Sequence, residues 1–141
     1  MSKFLISLTL FFCFATANTE IEWDAIYTNA TYALNHAKKA LSSNNFDHQK
    51  HYSEKALEAY DKIAQYLEAS DDEELKLKIS KTIKDLEHAA DAKDWDRGRF
   101  YSKRVYENTQ DLITTLDLRA AAEAPVEEAI EVAPIDTTGE Q

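Results

Sequence analysis

The sequence predicts an all-α protein: an antiparallel up-down-up-down four-helix bundle made of two duplicated αα-hairpins. Three observations predict it. Residues 18–119 contain no proline and a single glycine, Gly98, too few for the turns of a β-sheet or a doubly wound α/β protein. Apolar residues recur at helical spacing in four segments of that stretch. A shift of 49 residues lays the second half of the stretch on the first.

The first helix is expected over 20–42. Thr19-x-x-Glu22 fits a capping box, and Ile26, Ala30, Ala33, Leu34, Ala37 and Leu41 form one stripe. Ser42-Ser43-Asn44-Asn45 is a polar break. The second helix is expected over 47–68, with Tyr52, Ala56, Ala59, Ile63 and Leu67 on one face. Ser70-x-x-Glu73 reads as a second capping box, and Asp71, Asp72 and Glu73 suit a helix N-terminus. The third helix, over 71–91, carries Leu75, Ile79, Ile83, Leu86 and Ala90. The fourth, over 95–119, carries Tyr101, Val105, Leu112 and Leu116. Heptad spacing expects an apolar residue at Asn108, so either Asn108 is buried in the seam, or the helix is rotated, Thr109 or Val105 fills the seam and Asn108 faces water. Connections of about 3–5 residues make successive helices antiparallel neighbours with coiled-coil-like packing.

The 49-residue shift pairs Phe46-Asp47 with Trp95-Asp96 and Tyr52-Ser53 with Tyr101-Ser102. It also pairs Lys55 with Arg104, Ile63 with Leu112, and Ile26, Ala30 and Leu34 with Leu75, Ile79 and Ile83. The aromatic-Asp start followed by Tyr-Ser is more than amphipathic patterning requires. NNFDHQKHYSEKALEAY, and more loosely KDWDRGRFYSKRVYE, resembles the second helix of a tetratricopeptide hairpin. The resemblance implies a peptide- or protein-binding module. Gln49 stands where that family usually has Ala, and the shift of 49 residues departs from its period of about 34.

Lys3, the apolar run Phe4–Phe14 and Ala15-Thr16-Ala17 have the layout of a secretory signal peptide cleaved after Ala17. The expected destination is the periplasm or the extracellular space. The run is too short to span a bilayer, and no transmembrane segment is expected. The one cysteine, Cys13, lies within the run. A chain beginning at Asn18 therefore has no disulfide, redox pair or cysteine nucleophile. Residues 120–141 contain six acids and no Lys or Arg, and read as a disordered acidic tail. Ala120–Glu123 can extend the fourth helix up to Pro125. The net charge of −10 argues against nucleic acid and anionic membranes as partners.

No catalytic or nucleotide-binding motif is present, so no enzyme is expected. His36, His48, His51 and His88 fall toward one end of an up-down bundle. With nearby Asp residues they form a candidate site for a divalent metal. No other cofactor is expected: di-iron chemistry needs Glu-x-x-His on two helices, and no axial Met survives for haem. The second candidate site is a protein-binding face. Tyr27, Tyr32, Phe100 and Tyr106 lie off the main stripes, and exposed aromatics are enriched at interfaces. Arg97, Arg99, Lys103 and Arg104 form a basic patch opposing the local helix dipole, fit for an acidic partner or the acidic tail. The sequence thus predicts an exported, non-enzymatic helical protein with a binding or structural role. A metal-binding bundle and a tetratricopeptide-like module are the alternatives. A protein partner and homo-oligomers are further expectations.

Overall fold

The computed structural model describes residues 20–124. The expected signal peptide, Thr19 and residues 125–141 lie outside the described residues. Four helices follow in order: α1 (Trp23–Ser42), α2 (Phe46–Tyr66), α3 (Glu73–Ala90) and α4 (Trp95–Glu123). No strand occurs among the described residues. The helices form a compact up-down-up-down bundle. Each of α1 and α3 packs on both α2 and α4. Helices α2 and α4 also meet across one diagonal, whereas α1 and α3 do not meet across the other. The hairpins close on each other, so the concave face of a tetratricopeptide superhelix is not formed.

Helix starts follow capping chemistry. Asn45 caps α2 by accepting from the His48 backbone N–H at 3.1 Å. Asp94, 49 residues on, caps α4 by accepting from Arg97 N–H at 2.8 Å. A side-chain oxygen in this place satisfies one of the donors left free in the first turn. Helix α3 departs from the expected capping box. Asp72, not Ser70, is its cap, accepting from Leu75 N–H at 2.9 Å. Ser70 instead accepts from Asp72 N–H at 3.1 Å within the preceding turn. Helix α1 begins at Trp23, three residues later than expected, and Glu22 makes no side-chain cap. Helix α4 runs past the expected boundary at 119 and ends at Glu123, capped by Ala124, whose ψ of 132° is extended. Pro125 accounts for the stop, because proline disfavours helical geometry in the residue before it.

The core contains the expected Ile26, Ala30, Ala33, Ala37, Ala56, Ala59, Ile63, Leu75, Ile79, Leu86, Val105, Leu112 and Leu116. Around these the helices are rotated from the expected stripes. Gln49, Ser53, Tyr60, Thr82, Asp85, Ser102 and Thr109 are buried. Tyr52, Ile83 and Tyr101 are only half-buried. Asn108 is exposed and does not enter the seam; Thr109 does, fully buried. A register that prefers apolar residues misplaces a helix whose seam is built of hydroxyls.

Gln49, Ser53, Ser102, Tyr60 and Thr109 form two buried polar clusters where α2 meets α4. Gln49 Nε2 donates to Ser102 Oγ (3.0 Å), Ser53 Oγ (3.2 Å), and the carbonyls of Ala89 and Gly98 (both 3.4 Å). Two turns further in, Thr109 Oγ1 donates to Val105 O at 2.6 Å. The Tyr60 hydroxyl, 2.9 Å from Thr109 Oγ1, is therefore the donor in their bond. Gln49 faces Gly98, and Tyr60 faces Thr109. Both pairs are separated by 49 residues. Phe46 and Trp95, another such pair, meet edge to face with centroids 6.2 Å apart. Residues related by a two-fold rotation touch each other only near the axis. The bundle thus has a pseudo-two-fold axis running between α2 and α4, which relates hairpin α1–α2 to hairpin α3–α4.

Candidate functional site

Charge is unevenly distributed along the bundle. The half holding the α1–α2 and α3–α4 turns (residues 33–56 and 82–108) has 10 Lys and Arg against 8 Asp and Glu, a net +2, and all four histidines. The other half of the described chain (20–32, 57–81 and 109–124) has 5 against 13, a net −8. The first of these ends, the turn end, is where the cations concentrate.

The pseudo-two-fold axis repeats one motif there. Lys50 Nζ lies over the Phe46 ring at 5.6 Å, and the Arg99 guanidinium lies over Trp95 at 5.6 Å. These are cation–π distances. Lys50 and Arg99 are equivalent, as are Phe46 and Trp95. One turn on, Lys39 sits over Tyr52 at 5.6 Å. Its equivalent His88 stacks on Tyr101 at 4.8 Å. The exposed Phe100 edges against Tyr101 at 5.1 Å, and Arg104 lies over Phe100 at 5.7 Å.

The basic cluster is partly committed within the chain. Arg104 pairs with the buried Asp85 carboxylate at 3.2 Å, and Lys103 pairs with Glu107 at 3.6 Å. Asn108 also reaches Asp85, at 3.4 Å. Arg97 and Arg99 form no ion pair among the described residues. The same holds for Lys38, Lys39, Lys50, Lys84 and Lys93, and of these cations Lys50 and Arg99 lie on the paired aromatics Phe46 and Trp95.

The four expected aromatics do not form one surface. Tyr27 lies in the acidic half, where a hydrogen bond and the charge of Asp117 push its pKa up. Tyr32 rests on His36, ring to ring at 4.3 Å, along the α1–α2 hairpin. Tyr106 is half-buried against the core, its hydroxyl accepting from Gln110 Nε2 at 3.2 Å. Only Phe100 shares the basic surface. The sequence reading missed Phe46, Trp95 and Lys50. The 49-residue correspondence marks them, since it matches an aromatic and a cation at the same positions of both hairpins.

The histidines lie at one end, as expected, but in two groups. His36, His48 and His51 surround Tyr52, with centroids at 5.9, 6.4 and 5.6 Å. His88 belongs to the other hairpin. Among the described residues no three His, Cys, Asp or Glu side chains come together to hold a metal ion. The proposed metal site at His36, His48, His51 and His88 is therefore not assembled. Tyr52 stands between its members, and Asp85 and Asp94 are engaged by Arg104 and by the α4 cap. His36 Nδ1 is buried without a partner. Burial lowers the His36 pKa, helped by the charges of Lys39, His51 and Lys55.

The acidic half contains a groove of about 480 Å³ beside Trp23, Tyr27, Leu116, Asp117 and Arg119. Arg119 lies over Trp23 at 4.4 Å and bonds to the Asp72 carboxylate. This contact ties the start of α1, the start of α3 and the end of α4. No helix of the described residues is long and apolar enough to cross a membrane. No family model, curated protein or solved structure matches the chain.

Proposed function

We propose that the protein is an exported, non-enzymatic helical module that binds a protein partner through its turn end. The observation that carries this reading is the duplicated cation-on-aromatic pair, Lys50 on Phe46 and Arg99 on Trp95, on either side of the pseudo-two-fold axis. Aromatic and Arg side chains are the residues that most often anchor interfaces. Here the bundle holds them close together, with Arg97 and the exposed Phe100 beside them. The bundle keeps its own apolar core without this surface, so the aromatics there are available to a partner. The signal-like leader supports export, and the acidic half supports solubility.

The test is capture from an extract of the source cells by three immobilised forms. These are the unmodified chain, a turn-end variant (Lys50→Glu/Arg97→Glu/Arg99→Glu) and an acidic-half control (Glu68→Lys/Asp71→Lys). Partners of the unmodified chain should be lost from the first variant and kept by the second. Identical capture by all three forms would show that the turn end is not the binding surface.

A further inference from the structure

We infer that the turn end takes up the acidic segment that follows α4 in a second copy of this chain, so that copies associate head to tail. This rests on the reading of the turn end as a binding surface and names its occupant. Residues 125–141 contain Glu127, Glu128, Glu131, Asp136 and Glu140 and no Lys or Arg. Val126, Ile130, Val132 and Ile135 lie between the acids. Carboxylates interleaved with aliphatic side chains suit a surface of cations laid on aromatic rings, because Lys50, Arg97 and Arg99 receive the former and Phe46, Trp95 and Phe100 the latter.

Distance favours a neighbour's segment over a chain's own for the acids nearest α4. Helix α4 starts at the turn end and finishes at the acidic end. At about 1.5 Å per residue, Arg99 and Arg97 lie roughly 38 and 40 Å from Ala124. A fully extended chain covers at most about 3.6 Å per residue, so Glu131 stays within roughly 25 Å of Ala124, and Glu127 and Glu128 closer still. Glu127 and Glu128 cannot reach Arg97 or Arg99 of their own chain, and Glu131 falls at the limit of reach; only Asp136 and Glu140, at the far end of a nearly extended chain, span that distance. Glu127, Glu128 and Glu131 can reach those of a neighbour, whose turn end is free to approach the end of α4. The contact joins two different surfaces, which makes it heterologous and able to propagate. The net charge of −10 opposes association at long range. With screening over about 10 Å in 0.1 M salt, the local charge at each end governs the contact.

Sedimentation velocity on the exported form, residues 18–141, tests this at 0.1 M salt from about 10 µM to 1 mM. The weight-average sedimentation coefficient should rise with concentration and fall back toward the monomer at 0.5 M salt. A turn-end variant (Lys50→Glu/Arg97→Glu/Arg99→Glu) and a segment variant (Glu127→Gln/Glu128→Gln/Glu131→Gln) should each remain monomeric alone, with unchanged helical circular dichroism. Mixed in equal amounts they should form a dimer and nothing larger, because one supplies an intact segment and the other an intact turn end. The proposal is overturned if the unmodified chain is monomeric throughout, if either variant associates like it, or if the mixture stays monomeric. In any of these cases, pole-dependent capture of another protein would leave the turn end as a binding surface with a different occupant. Loss of both results would remove both readings.

Discussion

Gln49 and Gly98 are a matched pair, and each explains the other. A Cβ at Gly98 would lie 2.1 Å from Gln49 Oε1, so only a Cα–H can face that oxygen, a weak interaction. The oxygen has no other partner. Gln49 cannot swing clear, because it is fully buried and its Nε2 is held by Ser53 and Ser102. Gly98→Ala should therefore destabilise by roughly 1–3 kcal/mol, although alanine alone would favour a helix by about 1 kcal/mol. In a Gln49→Ala background the same change should instead stabilise by up to about 1 kcal/mol. Thermal or urea unfolding of the four forms checks this; additive effects would mean the clash is relieved elsewhere. The Tyr60 hydroxyl is a second such case. Burial pushes its pKa up from 10.0 to about 12. An acid held protonated by the fold stabilises it fully below the unfolded pKa. That stability is lost as pH rises from 10 through 12. Tyr60→Phe should cost about 1 kcal/mol at neutral pH and flatten the alkaline fall in melting temperature. An unchanged alkaline limb would mean other groups produce it.

Among the elements, α3 shows how one carboxylate links a helix start to the rest of the bundle. Asp72 caps α3 and receives Arg119 from α4, which itself covers Trp23 of α1. The Leu75 N–H, followed by Arg119, holds the Asp72 pKa below its ordinary 3.8. A depressed carboxyl contributes stability above its unfolded pKa, and that contribution is lost as pH falls from about 3.8 through the lower folded value. Asp72→Asn keeps the cap, since Asn caps well, but should reduce the fall in melting temperature below pH 4. Asp72→Ala should also lose about 1 kcal/mol at neutral pH. If both variants keep the acid limb of the unmodified chain, other carboxylates are responsible. The helices themselves were legible in the sequence to within three or four residues, because apolar spacing and the polar breaks between stripes are local signals. Their rotation was not. Ser102, Ser53 and Gln49 belong to no apolar stripe, and Thr109 is only one of two alternatives for the seam; their partners across the α2–α4 diagonal allow all four to be buried. Asn108→Leu, which a buried position would have made stabilising, should leave the core unaltered and change the melting temperature by no more than a degree or two.

For the whole molecule, two properties stand out: a pseudo-two-fold axis and a separation of charge along it. The described core lies within residues 20–124. Deleting 125–141 should leave the melting temperature of a dilute sample within about two degrees, because little apolar area is lost. A larger drop would mean that this segment covers apolar surface of its own bundle, such as the groove beside Trp23 and Tyr27. The charge separation was present in the sequence but visible only once the helices were folded antiparallel. Residues 33–56 and 82–108 are distant in the chain, and the bundle brings them to one end.

The sequence by itself determined the fold class, the number and direction of the helices, and the duplication. Helical periodicity, the scarcity of glycine and proline, and a 49-residue repeat are written along the chain. The tertiary structure alone decided which faces turn inward, that His36, His48, His51 and His88 do not combine, and that Phe46 and Trp95 meet with a cation over each. These depend on distances between helices. A buried hydroxyl or amide is favourable only when its partner arrives from another element, and no local pattern records that arrival.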